Sequence, residues 1–494
     1  MVKRVVPRQR LHTRWVLIAF TVILAISLGN QYCPAKSSDF GDNEISSQDE
    51  TQISRSDPIS SGTAKKYSTT GFQLFDYAIH LLRRNYVNEI PDTLLFDFPL
   101  KRMTMTLLPH CVEDIPNIAE CSEERERCFG QSIRSIAARC NIRQELLFEI
   151  ALKLILRQLD PNTGLLDEAM LKEIKISTSG KFGGVGLVVA SREGNYVVVS
   201  PFEGSPAQKA GITPGEIVLE IDGQSVQGLP LSEVLAKVRG PAGSIIAFTL
   251  KDPKSDKIRH VRLRRKEIVV PPVRYGMPAE GIGYLRLVNF QESTYADTQQ
   301  ALKLMIAQNG RPLKGLVLDL RDNPGGLFDQ AIQVAELFVS SGVITSLRGH
   351  NQQFNREFRS NSPSLVPRVP IVVLINNGSA SASEILAGAL KGKPGVVLMG
   401  KRTFGKASVQ AVFPLGKGSA LRLTTAHYYT ADGEDIEGKG LEPGVKLETP
   451  YDDQQEGTVD PLAAERLDTD YSLTRAIEYI RSSQLPNRTF QSLF

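Results

Sequence analysis

Ile371-Val372-Val373-Leu374-Ile375-Asn376-Asn377-Gly378-Ser379-Ala380-Ser381-Ala382-Ser383-Glu384 sets a short apolar run against a turn of small polar residues. The run suits a buried strand, and residues 382–390 read as a helix. Ser381 and Glu384 have capping-box spacing, which puts Ser381 at the helix N-cap. A second stretch repeats the pattern. Leu316-Val317-Leu318-Asp319-Leu320-Arg321-Asp322-Asn323-Pro324-Gly325-Gly326-Leu327 ends an apolar run in a turn with two glycines, and Ala331, Val334, Ala335, Leu337 and Phe338 follow at helical spacing. Both read strand, tight turn, helix. Such alternation over residues 268–450 predicts an α/β core.

The turns carry groups fit for chemistry. Backbone amides at a helix start are unpaired and partly positive, so the amide of Ala382 suits a developing oxyanion beside Ser381. Further on, Thr403-Phe404-Gly405-Lys406-Ala407-Ser408-Val409-Gln410 flanks Lys406 with small residues. Lysine at its ordinary pKa of about 10.4 is a poor base. Burial among apolar groups disfavours its charged form and lets it take a seryl proton, as histidine does in the commoner triad. Gly325-Gly326 lets backbone amides approach a ligand closely. Singly, Ser381 reads as a cap, Lys406 as a surface cation and the glycines as an ordinary turn. Their joint occurrence shifts the weight toward a site.

The three segments at 318–326, 377–384 and 404–410 resemble the signatures LDLRxNPGG, NxGSASASE and FGKxxVQ of the tail-specific, or carboxyl-terminal processing, proteases of the S41 family. Residues 428–433 and 438–443 resemble a further family segment, with Ala431 and Gly444 as departures away from the other three. The similarity extends along most of residues 71–480. It implies Ser381 as nucleophile, Lys406 as general base, Gln410 as the residue that orients the lysine, and amides of Ala382 and Gly326 as the oxyanion hole. It implies no metal and no cofactor.

Two other chemistries fit less well. Gly400-Lys401-Arg402-Thr403-Phe404-Gly405-Lys406-Ala407 approaches a phosphate-binding loop, but Ala407 stands where magnesium needs a hydroxyl, and a strand rather than a helix follows. A Ser-His-Asp hydrolase would draw on His350 or His427, yet no G-x-S-x-G elbow surrounds Ser381.

Residues 178–267 form a different module. Strand-like 197–200, 217–221 and 245–250 alternate with short helices at 205–210 and 232–238, and Asp222-Gly223 supplies a hairpin turn. The order resembles a PDZ domain. That implies a tail-binding loop at Gly184, Val185, Gly186 and Leu187, with Phe182, Val185 and Leu187 lining a pocket for an apolar last side chain. Upstream, Phe75, Ala78, Ile79 and Leu82, and then Leu146, Ile150 and Leu154, recur at helical spacing, so 71–177 reads as a helical region.

Composition frames these parts. The chain has 494 residues, 41% apolar and 23% charged, as in ordinary globular proteins. Lys3, Arg4, Arg8, Arg10 and Arg14 supply more than the whole of its net charge of +4; the remainder is near neutral and argues against nucleic acid as a partner. These cations precede a mostly apolar run at 15–29, so 1–33 reads as a signal peptide or N-terminal membrane anchor. A Ser/Thr/Asp-rich disordered linker at 34–70 follows. Cys111, Cys121, Cys128 and Cys140 cluster, and an exported chain favours at least one disulfide among them, with three pairings open. Residues 451–494 read as an acidic linker and a final helix.

The expectation is an α+β multidomain chain with a helical N-terminal region, an inserted PDZ domain and an α/β crotonase/ClpP-like catalytic core. By resemblance it is a serine endopeptidase cutting exported proteins with free, apolar C-termini, in the periplasm, a lumen or at the outer face of the cell membrane. An activating adaptor or a homo-oligomer is compatible with that reading. The alternatives are a catalytically silent PDZ peptide-binding scaffold and a non-proteolytic crotonase-like enzyme.

Overall fold

The structure is a computed structural model; it describes residues 71–107, 125–192, 194–416, 418–447 and 470–483. The leader and linker expected at 1–70, the acidic linker of 451–466, Cys111 and Cys121 lie outside the described residues. Among the described residues no helix is long and apolar enough to cross a membrane.

Alternation along buried strands organises the core. A six-stranded sheet runs Val273–Ala279, Ile282–Leu287, Gly315–Asp319, Ile371–Ile375, Val396–Gly400, Val445–Lys446, antiparallel in its first pair and parallel thereafter. Leu316, Leu318, Val373 and Ile375 pack with helices Thr294–Asn309, Phe328–Glu336 and Ala382–Leu390. Val317, Val372 and Leu374 pack instead with Leu473, Ala476 and Ile480 of helix Tyr471–Ser483. Successive side chains point to opposite faces, so strands covered on both sides read as continuous apolar runs. The last helix lies so close that a Cβ on Gly315 would stand 2.3 Å from Ile480 Cγ2.

Asp319 and Arg321 serve this packing. Arg321 bridges buried Asp319 at 2.7 Å and Asp470, at the start of that last helix, at 2.6 Å. Burial alone would raise the Asp319 carboxyl; Arg321 and Arg286 overcome it and hold it at about 2.

The helical region packs Phe75, Phe96, Phe129 and Phe148 against Leu415, Leu421 and Leu423 of the hairpin Ser408–Gly416 and Ser419–Tyr429. In helix Gln144–Leu159 the period is as read but the stripe is rotated. Leu147, Phe148, Ala151, Leu152 and Ile155 are buried, and Leu146 is 42% exposed. The region is not purely helical: strand Gly164–Leu166 pairs antiparallel with Ser419–Tyr429 and enters the core's second sheet. Cys128 is in a disulfide, as the export reading favours.

The inserted module has its own core, centred on Val198, Val218, Val234, Ile246 and Phe248. Its sheet runs Leu187–Arg192, Asn195–Pro201, Ile217–Ile221, Ile245–Lys251, Ile258–Arg264. Asp222 and Gly223 have φ of 51° and 76°, as a two-residue hairpin turn requires. Lys181–Gly184 pairs with Lys266–Val269, closing the module where the chain enters and leaves it.

Candidate active site

Strands Gly315–Asp319 and Ile371–Ile375 are parallel neighbours, so the turns at their carboxyl ends meet. Ligands in α/β sheets commonly sit at such ends. Asn376 Nδ2 donates to Asp322 Oδ1 at 2.9 Å, and Asp322 N–H donates to Asn376 Oδ1 at 2.9 Å. Buried Asn323 adds a second tie: its carbonyl accepts from Ala380 N–H at 3.0 Å and from Ser383 Oγ at 2.9 Å.

Ser381 lies at the junction, wholly buried, with φ 56° and ψ −115°. A non-glycine residue at positive φ is strained and persists only where its surroundings impose it. The chain thus makes a sharp strand-to-helix elbow without the G-x-S-x-G sequence. Of the expected capping box only the Glu384 arm is a hydrogen bond, Ser381 N–H to Oε2 at 2.8 Å; the Glu384 N–H goes to the Ser381 carbonyl at 2.8 Å rather than to Oγ. Ser381 Oγ has no hydrogen-bond partner in the structure. A buried hydroxyl with nothing to bond is costly unless it is kept for another purpose.

Lys406 enters through the same carboxylate. Glu384 Oε2 also accepts Lys406 N–H at 2.9 Å, and Oε1 accepts Gly405 N–H at 2.7 Å and the Thr403 hydroxyl. Tyr428, fully buried, lies between the two segments, its hydroxyl 3.1 Å from the carbonyl oxygen of Ser381 and 2.8 Å from that of Lys406. Glu384 therefore ties the two segments together, and the Tyr428 hydroxyl, with one hydrogen to give, sits within reach of a carbonyl on each. Lys406 is 8% exposed. Burial first, and Arg422 second, lower its pKa to about 8, against the opposing pull of Glu437, Asp160 and Glu384. No hydrogen bond joins Lys406 to Ser381 Oγ here.

The other expected residues fall as follows. Gln410, buried on Ser408–Gly416, donates from Nε2 to Thr424 Oγ1 at 3.4 Å and makes no bond to Lys406. Ala382 opens the helix, so its amide has no intrahelical acceptor. Gly325 and Gly326 have φ of 102° and 145°. Gly325 is the nearer to the serine: a Cβ there would lie 2.9 Å from Ser381 Cβ. Its N–H, however, is used by Asn323 Oδ1 at 2.9 Å. The bridge from Phe290 engages Gly325 O and Leu327 N–H and leaves the Gly326 amide out.

In the inserted module, Phe182 is half-buried beneath Arg239, whose guanidinium carbon is 5.1 Å from the ring centroid. The Val185 side chain is fully buried in the module's core, as is most of Leu187. Gly186 has φ +72°, and a Cβ there would meet Ser205 Cβ at 2.4 Å. A Cβ on Gly184 would meet the Phe182 ring at 2.9 Å.

Sequence reading did not find Tyr428, Asn323 or Thr424, and it read Glu384 only as a cap partner. The available signal was Glu384 itself, a carboxylate in the first turn of a helix whose neighbours are all small or apolar.

Residues 281–447 match peptidase family S41, and residues 197–252 match the PDZ domain. The chain is 43% identical over 314 residues to the carboxy-terminal-processing protease of Bartonella bacilliformis, covering 63% of this chain and 72% of that protein. The chain belongs to peptidase family S41. It is a serine-type peptidase of the carboxy-terminal-processing kind, with a PDZ domain. Carboxy-terminal processing protease CtpA of Bacillus subtilis is 35% identical over 305 residues, covering 62% of this chain and 64% of that protein. Among solved structures, a photosystem II D1 C-terminal processing protease is 30% identical, with a TM-score of 0.43, covering 77% of this chain and 94% of that one.

Proposed function

We propose that this S41 peptidase is an exported endopeptidase that uses a Ser381–Lys406 dyad to cut proteins near their C-termini, with the tail held by the PDZ domain. The observation that carries the dyad is the pairing of a buried, unbonded Ser381 Oγ with a buried lysine lowered to about 8, on segments that share Glu384 and Tyr428. Lys406 takes the seryl proton as Ser381 attacks the scissile carbonyl, then gives it to the leaving amine. Water completes hydrolysis of the acyl-enzyme. Amides of Ala382 and Gly326 receive the oxyanion. Gln410 orients the lysine on reaching it, because catalytic hydrogen bonds often form only with substrate bound. Export rests on the basic-apolar N-terminus and the Cys128 disulfide.

Only neutral Lys406 is a base, so kcat/KM should rise with pH through about 8 and fall about tenfold per pH unit below it. A pH–rate profile on a soluble peptide checks this; a limb near pH 6.5 would point to a histidine instead.

For the tail, Leu187–Arg192 is an edge strand of the module's sheet, open to strand addition. Val185 and Gly186 link it to strand Lys181–Gly184, so Phe182, Gly184, Val185, Gly186 and Leu187 lie together at its start. Val185 takes part through its backbone, its side chain being spent on the core. Substitution of Gly186 strains the loop whether or not a tail binds, so the better test changes the substrate. Amidating a substrate's C-terminus should weaken cleavage by about tenfold or more, since a carboxylate bonded to backbone amides is lost. Equal cleavage of acid and amide forms would exclude carboxylate recognition. Deleting 178–267 then separates recruitment from gating: only a gate predicts faster cleavage of an unstructured, amidated peptide.

A further inference from the structure

Helix Gln144–Leu159 ends at Asp160 with φ −151° and ψ 162°, and the next residues turn onto the hairpin that carries Gln410. Asp160 Oδ1 accepts Asn162 N–H at 2.7 Å and Thr163 N–H at 3.1 Å, and Oδ2 accepts the Thr163 hydroxyl at 2.6 Å. The turn grips both strands. Asn162 Nδ2 donates to Ser408 Oγ at 3.3 Å, Arg422 Nε donates to Asn162 O at 2.6 Å, and Thr424 N–H donates to Thr163 Oγ1 at 3.1 Å.

One further bond gives this arrangement a direction. The Thr424 hydroxyl donates to Asp160 Oδ1 at 3.0 Å. A hydroxyl has one hydrogen and two lone pairs. With its hydrogen on Asp160, Thr424 can only accept from Gln410, which it does from Nε2 at 3.4 Å. The amide of Gln410 is thereby fixed with nitrogen toward Thr424, and its carbonyl oxygen is left to receive a hydrogen from a lysine amine.

We infer that the 160–163 turn is a positioning element for catalysis: through Thr424 it sets the Gln410 amide, and through the Asp160 carboxylate it sets the field at Lys406. The inference rests on the dyad reading. Lys406 is faced by Arg422 on the adjoining strand, Glu437 on the following turn, Glu384 on the helix of the nucleophile, and Asp160 on this turn. His427 is within 4.0 Å of Glu437, and the Tyr86 hydroxyl faces Asp160 from the helical region. Asp160 favours the charged lysine and Arg422 opposes it, so the two should tune the base in opposite directions.

The test compares Asp160→Asn, Arg422→Met, Thr424→Val and Thr424→Ser in the full chain. Asp160→Asn removes charge, and the rising limb of kcat/KM should move to lower pH by about half a unit. Arg422→Met should move it to higher pH. Thr424→Val keeps the shape but breaks the relay, so kcat should fall about tenfold with KM little changed; Thr424→Ser should restore it. Thermal melts identify any variant that fails to fold, and if Asp160→Asn does, the two Thr424 variants carry the test. An unmoved limb in Asp160→Asn together with wild-type kcat in Thr424→Val would overturn the inference. Titrating the Lys406 amine by NMR in ¹³C-lysine-labelled Ser381→Ala protein, with and without Asp160→Asn, reads the field without turnover. A shift there with an unmoved rate limb supports the action of the turn on Lys406 and counts against Lys406 as the base.

Discussion

Ser381→Ala and Lys406→Ala should each lower peptide-bond cleavage by about 10⁴-fold or more, with the double variant no slower than either, because nucleophile and base act as one unit. Lys406→Arg should fail equally, since a guanidinium stays protonated. Lys406→Met tests the cost of the base. In the folded protein Lys406 holds its proton only up to about 8, and the unfolded chain holds it to about 10.5. Between those values the unfolded state binds more protons, so stability climbs with pH there; below about 8 the full cost of burying an ammonium is present. Lys406→Met removes that cost and should stabilise the protein at pH 7 by roughly 2 kcal/mol while abolishing activity. Denaturant melts and a peptide assay measure both. Full activity in Lys406→Ala would assign the base elsewhere, to His350 or His427.

What the sequence disclosed was local. Residues 371–384 and 316–327 announce strand, turn and helix because burial on both sheet faces fills every strand position but Asp319 with apolar side chains, and small residues then mark the turn. Lys406 was legible through its small neighbours. What stayed hidden depends on residues far apart in the chain meeting at one atom. Nothing in the sequence around Tyr428 says that its hydroxyl will lie within hydrogen-bond reach of two carbonyls, or around Asp160 that its carboxylate will reach Thr424. Strand Gly164–Leu166 has too few residues to signal itself and exists because Ser419–Tyr429 offers it a partner. The resemblance to a PDZ domain made Val185 a pocket residue, yet its side chain is folded into the module's core. Helical period in 144–159 was readable, but which of two adjacent stripes faces inward was set by the helices Gly71–Asn85 and Arg125–Cys140, whose Phe75 and Phe129 meet Phe148.

Glu384→Ala should lower kcat by about 10²–10³-fold and destabilise the protein by roughly 3 kcal/mol, although on this reading Glu384 touches no substrate. Its two oxygens divide the work. Oε2 holds the amides of Ser381 and Lys406, the two segments that must meet; Oε1 holds Gly405 N–H and the Thr403 hydroxyl. Alanine leaves three buried N–H donors and a hydroxyl facing a void, and the elbow loses what imposes its positive φ on Ser381. Glutamine should be milder, and the reason fixes how it sits. Its NH₂ cannot face the Oε2 position without opposing two N–H donors. Turned toward Oε1 it opposes only Gly405 N–H, because the Thr403 oxygen, which already accepts Leu441 N–H at 2.6 Å, has a second lone pair to offer. Glu384→Gln should therefore keep Ser381 and Lys406 on one oxygen and lose about tenfold in kcat, with the chief damage around Gly405. Burial pushes this carboxyl up, against the bonds from Thr403, Lys406, Gly405 and Ser381 that draw it down, so glutamine also relieves a buried charge and should cost less stability than alanine. The expected order in both kcat and melting temperature is wild type, Gln, Ala. An alanine variant with ordinary kcat would mean that the strands alone bring Ser381 and Lys406 together, leaving Glu384 as a helix cap.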